Sequence, residues 1–145
     1  MSNQSATPEH ELSSESHRQE LVTLAREVRE RAFAPYSGFK VGAVVESSDG
    51  RIFTGCNIEN SSYGLSLCAE RIAVFKAISE GTTNLVRVAV IAEAHSPVRP
   101  CGACRQVLSD LLGGDGEVIM ANLKGAIEVQ RVRDLLPMPF DRSFL

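Results

Sequence analysis

Residues 68–92 read CAERIAVFKAISEGTTNLVRVAVIA, and this stretch decides the fold class. From Cys68 onward the apolar residues Ile72, Ala73, Val74, Phe75, Ala77 and Ile78 fall on almost every side of a helix, and Gly81 is placed to end it. The pattern predicts a buried helix. Leu85 to Ala92 follows as a mostly apolar, β-branched run, which predicts a strand covered on both faces. Buried helix leading to buried strand is the grammar of a layered α/β domain.

The flanking sequence extends this pattern. CGACRQVLSDLLGG (101–114) predicts a helix closing on Gly113-Gly114, and EVIMA (117–121) and AIEVQ (126–130) predict two short strands. Upstream, VGAVVES (41–47) and RIFTGC (51–56) flank Asp49-Gly50, which predicts a β-hairpin with a two-residue type I′ turn. Before it, Leu21, Ala25, Val28 and Ala32 recur at helical spacing between His17 and Phe33, with Ser16 and Gln19 at capping-box spacing and Pro35 as a stop. The order is α, β, β, α, β, α, β, β, an α/β domain with about five strands covered by helices. No internal repeat and no linker divides it, so residues 17–145 are expected to form one domain. Residues 1–16, with five serines, three glutamates and little apolar content, are expected to form a flexible N-terminal arm.

Composition narrows the function. The 145 residues carry 15 Lys plus Arg against 18 Asp plus Glu, a formal charge of −3, with 43% hydrophobic residues and no Trp. This is an ordinary globular balance with no basic stripe for nucleic acid or an anionic membrane. No apolar run reaches the roughly 20 residues that span a bilayer, and MSNQSATPEH lacks a signal-peptide pattern, so a cytoplasmic protein is expected. Four cysteines in such a chain are expected to be thiols.

Those cysteines carry the chemistry. Cys68-Ala69-Glu70 opens one predicted helix and Cys101-Gly102-Ala103-Cys104 opens another. A lone C-x-x-C fits a redox pair or a structural zinc half-site, and a lone Cys-Ala-Glu carries no signal. Together they match the zinc nucleobase and nucleoside deaminase signature, in which three side chains hold zinc and a glutamate stays unbound. Cys101 and Cys104, spaced i, i+3, can share one helix face, and Cys68 can supply a third thiolate, leaving zinc one open position. Three thiolates on Zn²⁺ sum to −1, which weakens its power to acidify water; Arg71 can offset this by donating to a thiolate. Glu70 stands about 200° around a regular helix from Cys68, so Cys68 must lie at the helix start for both to reach one point. Cys56 is expected to be a buried small hydrophobe, with a closed four-cysteine site as the alternative. His10, His17 and His95 are expected to be solvated. Asn57 and Glu59 alternate with Cys56 and Ile58, so in an extended segment both side chains point to one side.

YSGFKVGA, TGCNIENSSYG, LCAERIAVFKAISEG, PCGACRQVLSDL and LLPMPF resemble the short, three-cysteine class of cytidine deaminase, from about Arg18 to Phe140. The resemblance implies a three-layer fold with a mixed sheet of about five strands. It implies one zinc per subunit on Cys68, Cys101 and Cys104, and Glu70 as the catalytic proton carrier. Asn57 and Glu59 would hold the ribose hydroxyls, Phe39 would pack on the pyrimidine, and Ala69 and Tyr63 would complete the substrate contacts. Phe140 would approach from a neighbouring subunit of a homotetramer. The implied reaction is hydrolytic deamination of cytidine and 2′-deoxycytidine in pyrimidine salvage. Rival readings are a deaminase for another aminopyrimidine nucleoside, a four-cysteine zinc module without activity, and a polynucleotide-editing deaminase, which would want a basic groove.

Overall fold

The computed structural model describes residues 11–145. In chain order it holds α1 (Glu15–Arg29), β1 (Val41–Ser47), β2 (Ile52–Cys56), α2 (Ala69–Ser79), β3 (Leu85–Ala92), α3 (Gly102–Leu111), β4 (Glu117–Asn122), β5 (Ile127–Arg131) and a short α4 (Val132–Leu135). The strands form one mixed sheet in the order β2-β1-β3-β4-β5, with β3 and β4 parallel and every other neighbouring pair antiparallel.

Alternation along the central strands builds three layers. Ala89 and Ile91 of β3 and Ile119 and Ala121 of β4 pack with Leu21, Val22 and Ala25 of α1. Val88, Val90, Val118 and Met120 point the other way, into a larger cluster with Ala73, Val74 and Ala77 of α2 and Leu108 of α3. Successive strand residues face opposite sides, so each central strand feeds both cores. Two glycines let helices touch strands at backbone distance. A Cβ at Gly42 would overlap Ala25 O of α1, and one at Gly55 would lie 2.5 Å from Ala73 N and 2.6 Å from Ala69 O of α2.

Several local expectations change. The cap of α1 is Ser14, whose side chain accepts from His17 N at 3.1 Å, and not Ser16. The helix ends at Arg29, short of Phe33, because Phe33 leaves it to pair with the 57–59 segment: Phe33 N donates to Asn57 O, and Glu59 N donates to Phe33 O. The hairpin loop has three residues, Ser48-Asp49-Gly50. Only Gly50, at φ 89°, is left-handed, and Ser47 N donates to Arg51 O across the base. That is a type I turn followed by a left-handed glycine, since type I′ would need Asp49 at positive φ as well. Helix α2 is buried on one side only, with Phe75 41% exposed. Its end matches expectation: Gly81 N donates to Ile78 O and Thr82 N to Ala77 O, with Gly81 at φ 90°.

The loose-arm expectation falls outside the described residues as far as His10. Beyond it the chain is tied down, because Ser13 N and Oγ donate to the Glu117 carboxylate at 2.9 and 2.7 Å. His17 is not simply solvated: Nε2 lies 2.9 Å from Glu46 Oε1. Arg87 donates to Glu46 at 2.8 Å and to Glu117 at 2.9 Å, so two buried carboxylates share one guanidinium. This ionic cluster lies at the sheet end opposite the cysteines, where β3 and β4 begin.

Candidate active site

Cys68 and Cys101 are the N-cap residues of α2 and α3, both with extended backbone (ψ 158° and 170°), and neither side chain caps its helix. Cys104 sits in the first turn of α3 and is buried. The three sulfurs lie within 4.8 Å of one another, and Cys68 Sγ to Cys101 Sγ is 3.7 Å. A tetrahedral zinc with Zn–S of about 2.3 Å sets its sulfurs roughly 3.8 Å apart, so this donor set fits the ion. Cys56 is outside the group, half-buried at the end of β2 beside Gly42. Its expected full burial is not met.

Two helix starts and one cation favour thiolate here. Arg71 Nη2 donates to Cys68 Sγ at 3.4 Å, the placement expected for it. The Cys68 thiol falls to about 5, first because Cys104 hydrogen-bonds to it and then through Arg71 and Cys101, against its burial. Cys104 moves up, because its proton is held against the Cys68 sulfur and the group is buried.

Glu70 follows Ala69 in the first turn of α2 and is 4% exposed. Burial pushes its carboxyl up to about 7, with the Cys68 charge adding to the rise and Arg71 opposing it. Cys68 and Glu70 line one cavity of about 230 Å³, together with Cys101, Phe39, Val41, Asn57 and Glu59. The extended N-cap is what makes this possible, since Cys68 stands off the helix and escapes the 200° separation.

The rest of the cavity comes from the loop before β1 and the segment after β2. Asn57 is buried and bridges backbone: Nδ2 donates to Phe39 O and Oδ1 accepts from Val41 N, both at 2.8 Å. Glu59 Oε1 accepts from Tyr36 N at 2.9 Å and Ser37 N at 3.1 Å, and Oε2 accepts from Ser37 Oγ. These donors, the Ser37 hydroxyl first, hold the Glu59 carboxyl below its usual range. A second cavity of about 340 Å³ adjoins through Glu59 and Ser66 and is bounded by Tyr36 and Tyr63. Their rings meet edge-on at 6.2 Å, with Tyr63 75% exposed.

The chain therefore brings together Cys68, Cys101, Cys104, Glu70, Arg71, Phe39, Asn57 and Glu59. Ala69 is fully buried beside them against Gly55. Tyr63 stands at the rim of the adjoining cavity. Phe140 is absent from the lining; it is 59% exposed and stacks on Phe144, with its carbonyl accepting from Gln106 Nε2 at 3.0 Å. Two residues of the site went unread in sequence. Ser37 reaches Glu59, and Arg105 donates from Nε to Pro100 O at 2.8 Å and from Nη1 to Leu135 O at 2.9 Å, bracing the residue before Cys101. Turn chemistry could have flagged Ser37, whose hydroxyl accepts from Phe39 N two residues on. Nothing local marks Arg105.

Comparison with known proteins agrees with this geometry. Residues 15–121 match the family described as the cytidine and deoxycytidylate deaminase zinc-binding region. The chain is 46% identical over 127 residues to a cytidine deaminase of Sporosarcina psychrophila, covering 88% of this chain and 93% of that one. With a cytidine deaminase of Halalkalibacterium halodurans the identity is 50% over 123 residues, or 85% and 93% of the two chains. The crystal structure of cytidine deaminase from Burkholderia pseudomallei superposes with a TM-score of 0.83 at 47% identity, covering 84% of this chain and 98% of that one. The chain belongs to the cytidine and deoxycytidylate deaminase zinc-binding family.

Proposed function

We propose that the protein hydrolytically deaminates cytidine and 2′-deoxycytidine to uridine and 2′-deoxyuridine, releasing ammonia, with one zinc per chain on Cys68, Cys101 and Cys104. One observation carries this reading: three thiol sulfurs meet at two helix starts beside a buried glutamate outside the sulfur set, with Cys68, Cys101 and Glu70 lining one cavity of about 230 Å³ and Cys104 buried behind them. When bound, zinc would supply Lewis acidity toward water and toward the negative charge that develops on the attacking oxygen.

The residues do the rest. Glu70 takes the proton released as water adds to C4 of the pyrimidine and delivers it to N3. The same carboxylate then carries the second water proton to the 4-amino nitrogen, which departs as ammonia and leaves a C4 carbonyl. Burial of Glu70 keeps bulk water from competing for these transfers. Phe39 offers its ring to the base, and Asn57 and Glu59 hold the sugar hydroxyls, Asn57 through the amide hydrogen and lone pair it does not commit to Phe39 O and Val41 N, and Glu59 by accepting. A carboxylate at the sugar repels phosphate, which favours free nucleosides over nucleotides.

The finer reading is a cytoplasmic homotetramer serving pyrimidine salvage. Three reduced thiols as metal ligands suit a reducing compartment. Phe75, Phe140 and Phe144 are exposed, an arrangement that supports coverage by neighbouring copies. The number four, and entry of Phe140 into a neighbour's site, rest on the family resemblance. No helix among the described residues is long and apolar enough to cross a membrane.

Ammonia release from the zinc-loaded protein against cytidine, 2′-deoxycytidine, other aminopyrimidine nucleosides and the 5′-monophosphates tests the reading. Cytidine and deoxycytidine should be turned over far better than their monophosphates. No release from any nucleoside would overturn the function, and equal kcat/KM for cytidine and its monophosphate would remove Glu59 from the sugar. Light scattering that returns an active monomer would remove Phe140 from the site.

A further inference from the structure

We infer that Ser37 is a positioning residue that aims Glu59 at the sugar end of the cavity, with its hydroxyl braced by Phe39 N. The inference rests on the proposed role of Glu59 toward the sugar. Ser37 Oγ donates to Glu59 Oε2 and at the same time accepts from Phe39 N at 2.9 Å. One hydroxyl offers a single donor and two acceptor lone pairs, so its donor is fully committed to the carboxylate.

Accounting at Glu59 shows why this matters. A carboxylate offers about four lone-pair sites. Oε1 fills two of them with Tyr36 N and Ser37 N, and Oε2 fills one with Ser37 Oγ. A single site on Oε2 is left for a substrate hydroxyl, and Ser37 sets its direction. The same hydroxyl pins Phe39 N while Asn57 pins Phe39 O, so the backbone of the ring facing the base is held from both sides. Gly38, between them at φ 72°, supplies the turn that lets one serine serve both neighbours.

Removing the hydroxyl frees the Oε2 geometry without touching the cysteines or Glu70. Binding should therefore suffer and chemistry should not. For Ser37→Ala in the zinc-loaded full chain we expect KM for cytidine to rise about 5- to 20-fold, with kcat within about 2-fold of wild type. Ser37→Thr keeps the hydroxyl and should restore KM to within about 2-fold. Cytidine analogues without sugar hydroxyls at C2′ and C3′ should respond to Ser37→Ala much less than cytidine does.

A double-mutant cycle with Glu59→Ala separates this from plain loop support. If Ser37 acts through Glu59, the double variant should show little further rise in KM beyond Glu59→Ala alone. Independent, multiplicative effects would overturn the inference, as would a Ser37→Ala variant with wild-type KM while Glu59→Ala raises it. Failure of Glu59→Ala itself to raise KM would instead defeat the sugar reading, and Ser37 with it. Should Ser37→Ala fold poorly, Ser37→Thr and Ser37→Gly compared at matched Tm give the same decision: equal KM in the two refutes the role of the hydroxyl.

Discussion

Replacing Gly55 by alanine adds one methyl group at the closest approach of α2 to the sheet. That methyl would sit 2.5 Å from Ala73 N and 2.6 Å from Ala69 O, both backbone atoms of α2. Ordinary contact begins near 3.4 Å, so about 0.9 Å must be found by moving the helix or the strand. Overpacking of this kind destabilises by about 1–3 kcal/mol, which lowers Tm by roughly 3–12 °C in a domain of this size. The displaced atoms matter more than the energy. Ala69 lies between Cys68 and Glu70, so a shift there moves the proposed metal ligand and the proposed proton carrier relative to Cys101 and Cys104 on α3. A misplacement of about 1 Å in reacting groups can cost on the order of 10²-fold. We therefore expect Gly55→Ala to lose about 10²-fold in kcat/KM per folded, zinc-loaded molecule. Gly116→Ala is the matched control. Its Cβ would meet Leu112 Cβ at 2.8 Å and Val132 Cγ2 at 3.1 Å, at the C-terminal end of α3, about 15 Å along the helix from Cys101. It should lower Tm and leave kcat/KM unchanged. Wild-type Tm and activity in Gly55→Ala would refute the close-packing argument, and equal activity losses in both variants would refute its link to the site.

Other perturbations address the metal, the proton carrier and the remote ionic cluster. Cys56→Ala should retain stoichiometric zinc and Cys101→Ala should lose it, as measured by elemental analysis; zinc loss in both would revive the four-cysteine alternative. Glu70→Gln should keep zinc and Tm while kcat falls by about 10²–10⁴-fold or more, because the same carboxylate serves more than one proton transfer; a variant within tenfold of wild-type kcat would end the mechanism. His17 is held above its ordinary 6.5 by the Glu46 hydrogen bond and by Glu20, against burial and Arg87. Its stabilisation is complete below pH about 6.5 and lost as pH rises through the raised folded value. The Tm gap between wild type and His17→Gln should therefore be wider at pH 6 than at pH 8.5, and a gap independent of pH would contradict the pairing.

Periodicity and turn chemistry made the fold readable in sequence, and they failed where distant backbone took over. Val41–Ser47 and Leu85–Ala92 are strands with the limits their apolar runs imply, and the Gly81 end of α2 follows from a local motif. The end of α1 was not readable. Arg29 to Phe33 keeps helical spacing, yet Phe33 bonds to Asn57 and Glu59, some 25 residues downstream. The same limit applies to His17, whose partner Glu46 lies on β1, and to Phe75, whose apolar character predicted burial that this chain alone does not provide.

The candidate site was legible for a different reason: its spacing is that of a helix start. Cys101 and Cys104 occupy the N-cap and the third helical position, the places where a capping box puts its two side chains. Reading them as i, i+3 on one helix face gives the right proximity and the wrong backbone, because Cys101 is extended. At the N-cap a thiol takes the place of the Ser or Asp that would accept from a first-turn N–H, and neither Cys101 nor Cys68 makes such a bond. Two helix starts that their N-cap side chains leave uncapped therefore face the cysteine cluster, and their dipoles act on the thiolates. The identical arrangement at Cys68 resolves the angular problem posed by Glu70: an extended N-cap swings the sulfur away from the helical path while Glu70 stays on it. Cys68 and Glu70, the proposed ligand and proton carrier, can then be two residues apart in sequence and line the same cavity, which no continuous helix would allow.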